Sequence, residues 1–224
     1  MHIKTCALLI SICLYGFPAY ATETLTVAVA SSLYPVMQQK ARMFEKDHHV
    51  RIHLVSGSTG RLYNQIVQGA PFDVFIAADK QRPAMLAEQG KALDRQQAGR
   101  GYLGVMIGKH MAGLSALASP SVRHIAIANP EVAPFGKVAR AVLKKQGLWH
   151  VIQHKFVYAQ NAMQAAMMVD KGLVDAGFVA LASQQGAIAN IDYQVVLLAD
   201  KPLARIWLAN IAKPQKIQLA RQQR

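Results

Sequence analysis

The chain has 224 residues, of which 52% are hydrophobic, and its 25 Lys and Arg side chains against 12 Asp and Glu give a formal net charge of +13. This length suffices for one large domain or two smaller lobes, and both cysteines, Cys6 and Cys13, lie near the N-terminus, which excludes a cysteine-based site from the rest of the chain. The basic residues are not interleaved with aromatic side chains, a pattern that disfavours nucleic acid and leaves small anions or an anionic membrane face as partners.

The first 21 residues are typical of an export signal. Lys4 precedes an apolar run over residues 6–17, and Ala19-Tyr20-Ala21 forms a small-residue cleavage pattern. We therefore expect cleavage near Ala21 and a mature chain that begins near Thr22. Retention of this segment as an anchor is the alternative, which the short apolar run disfavours. No later apolar run continues over the ~18 to 20 residues that a membrane span requires.

Short β-branched runs alternate with helical patterns in the next part of the chain. Strands are predicted at residues 25–30, 51–55 and 73–77. Apolar residues spaced by three or four between Leu33 and Phe44 predict a helix after the first strand, and Leu62 and Ile66 mark another after the second. The order of strand, helix, strand, helix, strand predicts a largely parallel sheet.

A second α/β unit follows. The patterns predict strands at 102–107, 124–128, 155–159, 176–182 and 194–199, with helices at 136–146 and 161–170. A final apolar run at 205–212 is interpreted as a strand that pairs with residues 102–107. We therefore predict an α/β fold with two lobes, residues 22–102 with 205–224 and residues 103–204. Each lobe would contain a mostly parallel sheet flanked by helices, and two crossing strands would join the lobes as a hinge.

Three strand-to-helix turns carry small, hydroxyl-bearing or Gly/Pro residues where a helix begins. They are Ser31-Ser32, Ser58-Thr59-Gly60 and the segment N-P-E-V-A-P-F-G at 129–136. In open α/β sheets ligands lie at the carboxyl ends of strands, and N–H groups at helix N-termini favour anions. Because these donors carry no charge, the turns predict a site for a small oxyanion. The alternative is that each residue only caps its helix.

Four segments of this chain resemble one known family. They are V-A-V-A-S-S-L; G-S-T-G-R-L-Y-N-Q-I-V-Q-G-A-P-F-D-V-F-I-A-A-D; I-A-I-A-N-P-E-V-A-P-F-G-K-V-A; and V-Y-A-Q-N-A-M-Q-A followed by V-D-A-G-F-V-A-L-A. Together they cover most of the chain after the export signal. In this order they resemble the periplasmic molybdate-binding proteins of ABC importers, which have the type II periplasmic binding protein fold.

The resemblance implies a monomeric, non-enzymatic periplasmic receptor that binds molybdate or tungstate between two lobes and delivers it to a membrane permease. It implies no cofactor, no catalytic residue and no directly coordinated metal, because the metal is bound as an oxyanion. It places ligand contacts at the hydroxyls of Ser31, Ser32, Ser58 and Thr59 and at the backbone N–H groups of Phe135 and Ala162. Some members have a tyrosine hydroxyl where this chain has Ala180, and Ser31 is the candidate to replace that contact.

Several alternatives remain open on the sequence alone. The same scaffold serves receptors for other tetrahedral oxyanions, such as sulfate or phosphate. An enzyme would need a general acid or base in the cleft, and the candidate residues supply none. A basic surface adhesin would bind no small ligand. His150 and His154, spaced by four residues, are a weak candidate metal site. The chain also ends soon after Pro214, earlier than is usual for the family.

Overall fold

The computed structural model describes residues 23–212, which form nine strands and seven α-helices. The predicted export signal and the basic segment 215–224 lie outside the described residues. The strands are β1 Thr24–Ala30, β2 Arg51–Gly57, β3 Val74–Ala77, β4 Asp94–Ile107, β5 His110–Ala112, β6 Ile125–Ala128, β7 Phe156–Ala159, β8 Ala176–Leu181 and β9 Ala189–Leu197. The helices are α1 Tyr34–His48, α2 Thr59–Val67, α3 Gln81–Glu88, α4 Pro134–Lys145, α5 Trp149–Ile152, α6 Ala162–Asp170 and α7 Pro202–Ala212. No helix within this range is both long and apolar enough to span a membrane.

The strands form one mixed sheet in the order β2-β1-β3-β9-β4-β8-β6-β7, with β5 paired to β4. Parallel pairing joins β2, β1 and β3 at one end and β8, β6 and β7 at the other. We call these the first and second halves. All residues of β3 and β6 are buried, as expected for parallel strands covered by helices on both faces. The mostly parallel sheet in each half agrees with the sequence prediction.

Two antiparallel strands connect the halves. The 14-residue β4 pairs with β9 from Asp94 to Leu103 and with β8 from Tyr102 to Ile107. The pairing of β4 with β9 shifts register between Gln97 and Gly99, and Gly99 has a φ of 137°. Such a bulge bends a strand locally, and the positive φ explains why glycine stands at this position.

One predicted strand is wrong. Residues 205–212 do not pair with residues 102–107, because they belong to helix α7. The buried residues of α7 follow the spacing of one helix face: Ala204, Trp207, Leu208 and Ile211. Trp207 packs edge-on against Phe44 of α1 with ring centroids 5.0 Å apart. The second crossing strand is instead β9, which begins at Ala189, five residues before its predicted start.

A buried carboxylate ties α7 to the first half. The Thr26 N–H donates to Asp73 Oδ2 at 2.8 Å, and Lys201 Nζ lies 2.8 Å from Asp73 Oδ1. Asp79, after β3, accepts a hydrogen bond from the Arg82 N–H at 2.9 Å, in the first turn of α3. Both aspartates therefore have structural partners.

Candidate functional site

One cavity collects all the residues that the sequence analysis proposed as ligand contacts. It lies where β1, β2, β3, β6 and β7 end, and its empty space of about 200 Å³ includes open solvent. Its lining consists of Ala30, Ser31, Ser32, Gly57, Ser58, Thr59, Ala78, Ala133, Pro134, Phe135 and Ala162. Both halves contribute, because the turns after β1, β2 and β3 meet the N-termini of α4 and α6.

Ser58 occupies the N-cap position of α2 but does not cap the helix. Its backbone is extended, with φ −70° and ψ 143°, and its side chain makes no capping hydrogen bond. The residue is only 3% exposed, and its Oγ has no partner within residues 23–212. A buried hydroxyl without a partner costs about 1–3 kcal/mol. At this position, helix capping does not explain the serine, and its hydroxyl is available to a ligand.

Thr59, the first residue of α2, has a hydroxyl with two uses. Its Oγ1 accepts a hydrogen bond from the Ala78 N–H at 3.1 Å, and this bond fixes the turn after β3 against the turn after β2. The hydroxyl proton takes no part in that bond. Because Thr59 is 1% exposed and lines the cavity, this proton can be donated to a bound anion.

Ser31 and Ser32 begin a single 3-10 turn that follows β1. Ser31 is buried, and Ser32 is half-buried with its Oγ accepting a hydrogen bond from the Tyr193 hydroxyl at 3.1 Å. Burial raises the pKa of Tyr193 to about 12. Sequence analysis missed Tyr193, because it lies inside β9 and meets Ser32 only since β9 and β1 both pair with β3.

The second half presents two helix N-termini to the cavity. Phe135 follows the proline that begins α4, and the N-cap residue Ala133 makes no side-chain capping bond. At α6, Asn161 Oδ1 accepts from the Gln164 N–H at 2.9 Å. This cap serves the third residue of α6, whereas the N–H of the first residue, Ala162, has no intrahelical partner. The N–H groups of Phe135 and Ala162 thus add neutral donors to the hydroxyls opposite.

The cavity lining contains no ionisable side chain. An anion in the cavity would therefore be bound by hydroxyls, by main-chain N–H groups and by the dipoles of three helix N-termini. No general acid or base is present among the lining residues, so the arrangement favours binding over catalysis. Within residues 23–212, no group of three or more His, Cys, Asp or Glu side chains is placed to bind a metal ion. His150 and His154 therefore have no third ligand in this range.

Direct hydrogen bonds join the two halves beside the cavity. The Gly60 N–H, at the start of α2, donates to the Val132 carbonyl at 2.9 Å. Three side-chain bonds add to it: Arg61 Nη1 to Gln160 Oε1 at 3.0 Å, Lys137 Nζ to Gln81 Oε1 at 3.0 Å and Arg82 Nη2 to the Glu131 carbonyl at 3.4 Å. The two halves are thus in direct contact beside the cavity.

Comparison with known proteins identifies the family. Residues 25–221 match the profile of the bacterial extracellular solute-binding proteins. The chain belongs to this family. Its members are extracellular or periplasmic binding proteins rather than enzymes, which agrees with the absence of acid or base groups from the cavity lining.

Two relatives with at least 30% identity to this chain are molybdate-binding proteins. The molybdate-binding protein of Rhodobacter capsulatus is 30% identical over 192 residues, 84% of this solute-binding protein and 76% of that one. The structure of the periplasmic molybdate-binding protein of Azotobacter vinelandii matches with a TM-score of 0.76 and 32% identity, over 86% of this chain and 94% of that chain. The resemblance and the α/β fold class predicted from the sequence are confirmed.

A more distant structure shows how widely the fold is shared. The sulfate-binding protein SubI of Mycobacterium tuberculosis H37Rv matches with a TM-score of 0.67 over 87% of this chain and 83% of that one. The two sequences are only 12% identical, so this match shows the fold alone. The same scaffold thus occurs with different oxyanions, and the ligand must be argued from the site.

Proposed function

We propose that this protein is an extracytoplasmic receptor that binds molybdate or tungstate in the cavity and delivers the anion to the membrane permease of an ABC importer. The observation that carries the proposal is a cavity lined by neutral donors from both halves, with the Ser58 hydroxyl buried and unpartnered. The molybdate-binding relatives, at 30% and 32% identity, support the choice of anion. Sulfate or phosphate is the alternative ligand.

Six of the eleven lining residues are proposed donors, and they divide into two sets. Ser31, Ser32, Ser58 and Thr59 would donate through hydroxyls from the first half, and Phe135 and Ala162 through backbone N–H groups from the second. Hydrogen bonds to a charged group contribute about 1.5–3 kcal/mol each, more than neutral pairs do. With no buried countercharge in the lining, release of the anion leaves no unpaired charge behind. This property suits a receptor that must both capture and deliver.

The anion would stabilise the closed state because it bridges donors from both halves. A ligand shifts an equilibrium between open and closed states only by its difference in affinity for them, and a bridging anion makes its full set of bonds only when the halves meet. The sequence predicts lobes at residues 22–102 with 205–224 and at residues 103–204, but because β9 and not residues 205–212 is the second crossing strand, we place the return to the first lobe within β9. The strands β4 and β9 are the natural hinge, since both cross between the halves.

The proposal also includes export from the cytoplasm and a monomeric state. Cleavage near Ala21 would release a monomer into the periplasm, where its ligand and the permease are both accessible. Without Lys4, the cleaved protein would have a net charge of +12, which would attract an oxyanion toward it at low ionic strength.

Isothermal titration calorimetry of the mature protein tests the ligand. Molybdate, tungstate, sulfate and phosphate are titrated under identical conditions. We expect one site per chain that binds molybdate and tungstate far more tightly than the two smaller anions, since all four offer oxygens to the same donors and differ in size. Binding of sulfate or phosphate alone would assign the protein to the alternative ligand class. Binding of none of the four anions would refute the receptor proposal.

A further inference from the structure

Tyr193 is a buried residue of the crossing strand β9 whose hydroxyl contacts a residue of the cavity lining. The residue is 3% exposed, and its hydroxyl donates to Ser32 Oγ at 3.1 Å. Ser32 lines the cavity, whereas Tyr193 does not. The phenol therefore contacts a candidate ligand-binding group without contacting the ligand.

The direction of this hydrogen bond matters for the anion. A serine hydroxyl has one proton and two acceptor lone pairs. If Ser32 donated to a protein acceptor, its oxygen lone pairs would face the anion and repel it. Because the tyrosine supplies the proton in this bond, the proton of Ser32 remains for the cavity. A donor bonded to the Ser32 oxygen also polarises that hydroxyl and strengthens the bond that it donates.

The neighbouring crossing strand, β4, leaves space for the phenol of Tyr193 at Gly101. A Cβ on Gly101 of β4 would lie 2.5 Å from the Tyr193 hydroxyl oxygen and 2.6 Å from its Cε2. Glycine is thus needed at position 101 for space. Gly101 and Tyr193 lie on paired strands, so the hydrogen bond to Ser32 depends on close packing within the hinge.

We propose that Tyr193 is a positioning residue for oxyanion binding, which orients the Ser32 hydroxyl so that Ser32 donates its proton into the cavity. The proposal rests on the proposed function. It gives Tyr193, which does not line the cavity, a role in the affinity for the anion. It also links the packing of β4 against β9 to the orientation of the Ser32 hydroxyl. Since the phenol remains protonated throughout the physiological range, it acts as a constant donor.

A double-mutant cycle measured by molybdate titration tests the proposal. The variants are Y193F, S32A and the combination S32A/Y193F, with Y158F as the control because Tyr158 is 55% exposed on β7. We expect Y193F to lose about 3- to 10-fold in affinity and to keep the melting temperature of the ligand-free protein within a few degrees. In the S32A background, Y193F should have no further effect on affinity. Y158F should bind as the wild type does.

A second variant keeps the test informative if Y193F is poorly folded. G101A displaces the phenol while Tyr193 remains, and it should reproduce the loss seen with Y193F. Unchanged affinity in Y193F, or an equal loss of affinity with and without Ser32, would overturn the positioning role while leaving the receptor proposal intact. Failure of the wild-type protein to bind any oxyanion would overturn both.

Discussion

Ser58 and Thr59 are adjacent hydroxyl residues in one turn, but the protein uses them differently. Ser58 Oγ has no partner among the described residues, whereas Thr59 Oγ1 accepts the Ala78 N–H. The sequence shows the two side chains as equivalent N-terminal hydroxyls. Only the fold distinguishes a buried hydroxyl without a partner from one that supports a neighbouring turn.

Alanine substitutions at these two positions should therefore give different results. S58A removes an unsatisfied buried hydroxyl, so we expect unchanged or slightly raised stability without ligand and about 10- to 100-fold weaker oxyanion binding. T59A leaves the Ala78 N–H without its partner and should also lower the free energy of unfolding by about 1–3 kcal/mol. Urea unfolding and calorimetry measure the two effects. T59S, which retains the hydroxyl, is the control, and destabilisation by S58A as large as that by T59A would contradict the assignment.

The pH dependence of binding follows from the uncharged lining. No side chain in the cavity titrates near neutrality, and the pKa of Tyr193, raised to about 12 by burial, keeps the phenol protonated. We expect the affinity for a fully ionised oxyanion to stay constant between about pH 6 and pH 9. Calorimetry across this range checks the expectation. A tenfold loss of affinity as the pH rises through about 6.5 would instead indicate a histidine cation in the site.

Sequence reasoning at the residue scale predicted six residues that line the cavity, whose role as ligand donors stays a prediction, but not the residues that support them. The hydroxyl-rich turns and the helix starts at Phe135 and Ala162 were visible because such residues follow strand ends in a recognisable order. Tyr193 was not predictable, since 161 residues separate it from Ser32 and no local pattern distinguishes it from a core aromatic residue.

At the scale of elements, the start of α2 is in direct backbone contact with the second half. The Gly60 N–H donates to the Val132 carbonyl, and a Cβ on Gly60 would lie 2.7 Å from that oxygen and 2.8 Å from Arg82 Nη2. A backbone carbonyl cannot move away as a side-chain end can. Glycine at position 60 is therefore required by contact between the halves.

G60A should hold the halves apart without harming either one. Alanine raises intrinsic helix propensity by about 1 kcal/mol over glycine, so we expect no loss of stability within the first half. The clash should weaken oxyanion binding by at least about 10-fold and increase the radius of gyration in the presence of ligand, as measured by small-angle X-ray scattering. G113A is the matched control, because a Cβ there meets only Ser115 Oγ at 4.0 Å. Wild-type affinity in G60A would show that this contact is not needed for closure.

The types of most elements were predictable from the sequence. The main error, a strand predicted at residues 205–212, has a physical cause. The run at 205–212 is apolar enough to suggest a buried strand, but its buried positions, spaced by three and four residues, follow the period of a helix. The strand that pairs with the first part of β4 is β9. Its own first part, Ala189 to Tyr193, mixes polar and apolar residues. Residues 189–193 form a strand because β9 pairs with β4 and β3, which are distant in sequence, and no local sequence pattern indicates this pairing.

At the scale of the whole molecule, the fold places two sets of neutral donors on opposite sides of one cavity. The mixed sheet makes this possible, since its parallel ends direct helix N-termini inward while β4 and β9 connect the halves. The order of elements predicted the parallel units and the two-lobed class. It did not predict the contacts between the halves, which depend on single residues such as Gly60.

The central claim is that one oxyanion binds between the two halves and contacts donors from both. Anomalous X-ray scattering at the molybdenum edge, from crystals of the protein grown with molybdate, tests this claim most directly. We expect a single molybdenum peak in the cavity, with its oxygens within hydrogen-bonding distance of Ser58 Oγ on one side and the Phe135 N–H on the other. A peak outside the cavity, or no ordered molybdenum at saturating molybdate, would contradict it.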